Sequence, residues 1–204
     1  MDIKSERFNK RARQALESKN RIFNSAIDLF NEIGFENVTI DSICKKAGVS
    51  VGLFYNYFDS KDQIIVEVFN TMDIDYEREY NELPEDLETI EKLLFMVGYI
   101  ATATQSLGKS FLRIVYRRFL MLEKGNVSLL NEHRPIYRFL NVFIEEGQQN
   151  GQITTEFSIE EIQFIILNVV RGVFFQWALY DGGFDLVPET EKAVSALING
   201  LRAR

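Results

Sequence analysis

The sequence predicts an all-α protein of about nine helices, and three observations carry that expectation. Hydrophobic residues make up 46% of 204 residues while proline occurs only three times, so long helices are rarely interrupted. Apolar residues recur at i, i+3, i+4 and i+7 between Ile22 and Leu201, the spacing of one helix face. Single punctuating residues separate the runs: Gly34, Gly48, Pro84, Gly108, Gly125, Gly151, Gly182-Gly183 and Pro188.

In chain order, the first 18 residues are polar and basic, with Lys4, Arg7, Lys10, Arg11 and Arg13. They read either as an extension of the first helix or as an arm touching phosphates or a minor groove. Ile22, Ala26, Leu29, Phe30 and Ile33 make the core stripe of a helix that Gly34 ends. Thr39 is an N-cap for a two-turn helix whose apolar face is Ile40, Ile43, Cys44 and Ala47. Gly48 can take the positive φ that stops this helix, Val49 can plug the turn, and Ser50 can cap a third helix over about Val51 to Tyr57. Phe54 and Phe58 are expected to point into a core, leaving Val51, Leu53, Tyr55, Asn56 and Tyr57 to face elsewhere. Two short helices joined by a tight turn make a shape that fits a DNA major groove.

Ser60 opens a fourth helix, with Gln63 in the capping-box position. Its apolar residues are Ile64, Ile65, Val68, Phe69 and Met72, and the pattern fades near Tyr80 before Pro84. Lys61 in its first turn opposes the helix dipole, which a negative group outside the protein would explain. Asp73, Asp75, Glu77 and Glu79 alternate at i+2, which scatters carboxylates around the helix and reads as solvated surface.

Five further helices are expected at roughly 87–106, 109–124, 135–149, 159–180 and 188–202, the fourth of them opened by a capping box at Ser158–Glu161. That helix is apolar nearly all round, so both its flanks must be buried. One flank is expected on the chain's own core and the other on a second subunit. The last helix adds the stripe Val194, Leu197, Ile198 and Leu201 beside Ala193, Ala196 and Gly200, small residues that let helices approach closely.

Charge and composition bound the function. The net charge of −7 is uneven: residues 1–62 hold ten Lys/Arg against nine Asp/Glu, and residues 63–204 hold thirteen against twenty-one. Phosphate attraction is local and screened over about 8–10 Å, so an acidic C-terminal part does not oppose a DNA-facing N-terminal one. With His133 and Cys44 each the single residue of its kind, a histidine-rich metal site or a Cys-His pair is not expected, and neither is an intrachain disulfide. No phosphate-binding loop, dinucleotide fingerprint or nucleophile elbow occurs, so no enzyme, cofactor or metal is expected. Cys44 reads as a small buried hydrophobe. No apolar signal core opens the chain and no uninterrupted apolar run reaches the roughly 18–20 residues that span a bilayer, so a cytoplasmic location is expected.

Thr39, Ile43, Ala47-Gly48-Val49-Ser50, Gly52, Tyr55, Tyr57-Phe58 and Ser60-Lys61 resemble the helix-turn-helix of the TetR family of bacterial transcriptional repressors. Ala26, Leu29-Phe30 and Gly34-Phe35 resemble that family's first helix. The resemblance implies a basic arm (1–18), a DNA-binding domain (19–66) and a ligand-binding and dimerisation domain (67–204). It implies phosphate contacts from Thr39, Ser50, Gly52, Tyr57 and Lys61, which set register, and base reading by Val51, Leu53, Tyr55 and Asn56. Val51 and Leu53 depart from the commoner pattern; aliphatic side chains suit thymine methyl groups, with Asn56 addressing adenine, although Leu53 as a core residue would read nothing. A homodimer on a palindromic operator follows, with Ile166, Val170, Val173, Trp177, Val194, Leu197, Ile198 and Leu201 at its interface. A small apolar or aromatic effector would bind among Phe95, Tyr99, Tyr116, Phe119, Phe143, Phe174 and Trp177. Arg171 would pair with an acid across the dimer or meet an anionic ligand head. The competing expectation is a helical protein-interaction module without specific DNA binding.

Overall fold

In the computed structural model, which describes residues 3–121 and 132–202, every described regular element is a helix; the side chains of residues 3–12 and of Phe119 lie outside that description. The helices are α1 (Ile3–Ile33), α2 (Ile40–Ala47), α3 (Val51–Tyr55), α4 (Lys61–Asn81), α5 (Thr89–Leu107), α6 (Lys109–Met121), α7 (Pro135–Gln149), α8 (Ile159–Leu179) and α9 (Leu186–Gly200). A single 3-10 turn, Phe35–Asn37, follows α1. The chain divides into two compact units, one ending at Val68 and the other beginning at Phe69, within α4.

Helix α1 begins at Ile3, so the basic N-terminal segment is helix and not a separate arm; Lys4, Arg7, Lys10 and Arg11 have side chains outside the described residues. Ile22, Ala26 and Phe30 are fully buried, and the Phe30 ring lies 4.9 Å from that of Phe35. Ile33 is 47% exposed, because the helix's last turn runs past the core that its sequence stripe pointed to. Phe35, Val38, Ile43, Cys44, Ala47, Phe54, Phe58, Ile64, Ile65 and Val68 are the other buried hydrophobic residues described in this unit. Lys19 and Glu67 form an ion pair that ties α1 to α4.

In the second unit α5 packs against α6, α7 and α9, while α8 packs against α6, α7 and α9. The core is continuous through Leu93, Met96, Phe139, Phe143, Ile162, Ile166, Val170, Val194 and Ile198. By length and composition α8 could cross a bilayer, yet one face of it lies in this core. Helix α9 starts at Leu186, two positions before Pro188: Asp185 caps it by accepting from Val187 N at 3.3 Å, and proline sits in a first turn at no cost in hydrogen bonds. Residues 122–124, expected to end α6, lie outside the described residues.

Helix α4 meets α5 and α7 through long side chains. Tyr80 stacks on Phe139 at 4.1 Å with ring planes 7° apart, and Tyr76 meets Tyr99 edge-on at 6.1 Å. Arg134 pairs with Asp73 and Arg138 with Glu77, so two of the four alternating carboxylates are tethers between α4 and α7 and not free surface. Sequence spacing missed them because their partners lie 61 residues away.

Gly147 marks a close approach to a buried apolar side chain in this unit. A Cβ there would lie 2.6 Å from Ile153 Cδ1 and 2.8 Å from Cγ1, and Ile153 is itself buried. Its carbonyl also accepts from Gln152 N and Ile153 N at 2.8 and 2.9 Å, which holds the turn against the helix. Gly147→Ala is expected to destabilise the chain by about 1–3 kcal/mol through overpacking. Urea denaturation checks this, and a variant as stable as the parent would show that Ile153 relocates freely.

Candidate functional site

The N-terminal unit builds two capped helices in register. Thr39 Oγ1 accepts from Ser42 N at 3.1 Å while Ser42 Oγ accepts from Thr39 N at 3.1 Å, a reciprocal box that spacing alone did not flag. Gly48 closes α2 at φ 65°, ψ 42°, a left-handed conformation that favours glycine. Ser50 Oγ then accepts from Leu53 N at 3.2 Å and starts α3.

Phe54 and Phe58 anchor α3 from below, with rings 5.7 Å apart. The opposite face is free: Val51 is 39% and Tyr55 52% exposed, Asn56 and Ser50 are exposed, and Leu53 and Tyr57 are half-buried. Helix α3 ends at Tyr55, and Asn56 and Tyr57 continue as a turn in which Tyr57 N and Phe58 N both donate to Phe54 O, at 2.9 and 3.0 Å. A Cβ at Gly52 would meet only Ser50 Oγ at 4.0 Å, so no packing within the chain demands glycine there.

Lys61 departs from the sequence expectation. Its ammonium donates to Phe35 O at 2.7 Å and Val38 O at 2.9 Å and lies 4.4 Å from the Phe35 ring centre. Two of its three N–H bonds are therefore spent inside the unit, which explains a cation in a helix's first turn without an external anion. Lys46 pairs with Asp28 at 3.5 Å and Glu32 at 2.6 Å on α1, leaving the exposed Lys45 as the solvated lysine of this pair. Burial pushes the Cys44 thiol up from its ordinary pKa, and the Asp41 charge adds to the shift, so it stays an inert thiol at neutral pH.

The second unit holds a cavity of about 100 Å³. Phe69, Met72 and Tyr76 of α4 line it, with Val97, Ile100, Thr104 and Leu107 of α5 and Phe111, Leu112, Val115 and Tyr116 of α6. Ile136, Leu140, Ile166, Leu167, Val170 and Phe174 close it, and Arg134 and Arg171 are its charged members. Tyr116 Oη donates to Arg171 O at 3.0 Å, and Arg171 Nη2 donates to Tyr137 Oη at 2.7 Å. Burial pushes the Tyr116 phenol up to about 12 and raises that of Tyr76 as well, so both are neutral donors at physiological pH.

Of the residues expected around an effector, Tyr116 and Phe174 line this cavity. Phe95 is 47% exposed, Tyr99 lies at the edge of Tyr76 with its hydroxyl accepting from Arg78, Phe143 packs under Tyr80, and Trp177 Nε1 donates to Phe184 O. The Phe119 side chain lies outside the described residues. The expected interface set is also corrected. Ile166, Val170, Trp177, Val194, Ile198 and Leu201 are buried in the chain's own core, and Val173 and Leu197 are half-buried against it. What α8 leaves uncovered is the opposite face, Phe164, Asn168, Gly172, Phe175, Gln176 and Leu179, beside Ala196 and Gly200 of α9.

Residues 22–68 match the family model of bacterial regulatory proteins, tetR family. The chain is 27% identical over 162 residues to the HTH-type transcriptional regulator UidR of Escherichia coli, covering 78% of this chain and 81% of that one. It is 25% identical over 186 residues to the fatty acid metabolism regulator protein of Bacillus subtilis, covering 89% and 94%. The structure of Thermus thermophilus FadR, a TetR family transcriptional repressor in complex with lauroyl-CoA, superposes with a TM-score of 0.67 at 25% identity, covering 91% of this chain and 96% of that one. These likenesses favour a DNA-binding regulator over a protein-interaction bundle without specific DNA binding.

Proposed function

The chain belongs to the TetR family of bacterial transcriptional regulators, and from that premise we propose that it is a dimeric cytoplasmic repressor released from a palindromic operator by a largely apolar effector. The observation that carries the DNA half is the α3 surface, anchored by Phe54 and Phe58 and exposed at Val51, Tyr55 and Asn56. Thr39, Ser50, Gly52 and Tyr57 touch phosphates and set register, while Val51, Leu53, Tyr55 and Asn56 meet base edges. Lys61 acts from beneath by holding the Phe35–Val38 turn. The exposed face of α8 with the small residues of α9 forms the twofold interface, and a twofold dimer presents two copies of α3, as a palindromic operator requires.

The effector half is supported by the apolar cavity and by the lauroyl-CoA held by the Thermus relative. Three residues of α4 line the cavity, so a ligand there reaches the helix whose first turns belong to the N-terminal unit. Coupling of this kind is typically about 1–3 kcal/mol and reciprocal, so operator DNA weakens effector binding by the same factor.

The test is selection of fragmented genomic DNA by the purified chain, with footprinting of the retained site at two salt concentrations. A short palindromic footprint with steeply salt-dependent affinity is expected. Tyr55→Ala and Asn56→Ala are each expected to cost about 1–3 kcal/mol of discrimination and to change the bases selected, whereas Thr39→Ala weakens all sites alike. Unchanged selection by both variants would remove α3 and the turn after it from base reading.

A further inference from the structure

Resting on the reading that this cavity holds the effector, we propose that the effector carries an anionic group on its apolar body, and that Arg134 takes that anion at the expense of Asp73. The cavity wall contains two arginines and no carboxylate. A cation in an apolar wall is retained only when paired, and Arg134, 8% exposed, has its carboxylate partner on α4. Asp73 accepts from Arg134 Nε through both oxygens at 3.1 Å and from Nη2 at 2.8 Å. The guanidinium lies 5.1 Å from the Phe69 ring centre, and Phe69 also lines the cavity. This geometry uses one edge of the planar fork. The Nη1 amino group stays outside the Asp73 pair, and a guanidinium can hold a second oxyanion along that other edge.

Two neutral hydroxyls, on the buried side chains of Tyr76 and Thr104, line the same cavity. Such donors suit an oxyanion in a site that excludes water. The chemistry is the same for a carboxylate and for a phosphate.

Arg134 also stands where it can transmit the event. Asp73 and Glu77 lie one turn apart on α4, and Arg134 and Arg138 at the same interval at the start of α7, so the ion pairs form two rungs between these helices. The second rung is 2.6 Å long but exposed on both sides, hence screened by solvent. The first is largely buried, with Asp73 20% exposed, and Arg134 borders the cavity. A ligand anion on Arg134 divides the cation's attraction between two partners and brings a like charge toward Asp73, which loosens α4 at that rung. Conversely, holding α4 in place reserves Arg134 for Asp73.

The experiment uses the full chain with three probes of equal chain length: dodecanoate, dodecanol and lauroyl-CoA. Binding is read by the fluorescence of Trp177, the single tryptophan, and by the shift in melting temperature. Anionic probes are expected to bind roughly tenfold or more tightly than dodecanol. That ratio should rise in Asp73→Asn and vanish in the double variant Arg134→Gln with Asp73→Asn, which folds without an orphaned buried charge. Dodecanoate as the preferred probe assigns the anion as a carboxylate; lauroyl-CoA assigns it as a phosphate. Equal binding of dodecanol and both anions by the parent, or a ratio that persists in the double variant, overturns the assignment while leaving an apolar effector standing. Binding of none of the three overturns the apolar-effector reading and this assignment with it.

Discussion

Lys61→Met is expected to cost the N-terminal unit about 3 kcal/mol, because each hydrogen bond from a charged donor contributes about 1.5–3 kcal/mol and two are lost. The carbonyls of Phe35 and Val38 that accept from Lys61 would be left without their ammonium, and the cation over the Phe35 ring would go with it. Methionine keeps the aliphatic stem, so the change reports the charge and not the packing. Two measurements separate this role from a phosphate clamp. Amide exchange of residues 35–47 reads the local stability, and the dependence of operator affinity on salt counts the phosphates neutralised. A structural pin gives faster exchange with an unchanged salt slope. A clamp gives unchanged exchange and a slope reduced by about one.

The helix-turn-helix was legible in the sequence because its signals are local. Caps at Thr39 and Ser50, the left-handed Gly48 and the buried Phe54 and Phe58 are each decided within a few residues of chain. Helix positions in the second unit were legible for the same reason, since Gly and Pro punctuate them. Three things were not. Lys61 looked like a surface cation because its carbonyl partners lie 23 and 26 residues upstream. The α8 stripes could be listed but not assigned: periodicity separates two apolar faces without saying which one meets the chain's own core. Ile166 and Val170 proved to face inward, while Phe164 is 67% exposed and Phe175, edge-on to Tyr116, 42%. The cavity depends on how α4, α5, α6 and α8 diverge, so aromatic content pointed to Tyr116 and Phe174 but equally to Phe143 and Trp177, which pack elsewhere.

The ion pair at Arg134 shows how a stability measurement bears on function. Removing one partner of a buried pair leaves an uncompensated charge and costs about 3–5 kcal/mol, so Arg134→Met is expected to destabilise the second unit by about 3 kcal/mol, at the lower end because Asp73 keeps some solvent contact. Asp73→Leu alone should cost a similar amount, through the stranded guanidinium. The double variant is expected to recover most of the loss, since apolar side chains of similar volume replace a buried pair at little net cost. Glu77→Gln on the exposed rung should change stability by less than about 1 kcal/mol. Urea denaturation followed through Trp177 gives all four values, and the double-mutant cycle isolates the pair's coupling. Single-variant losses below about 1 kcal/mol would mean that water screens Arg134, and a screened cation could not pass a ligand's charge to α4. Large single losses with a stable double variant would mean that folding does not require the pair. Its place in an apolar wall would then be explained by what it binds and not by the stability it adds.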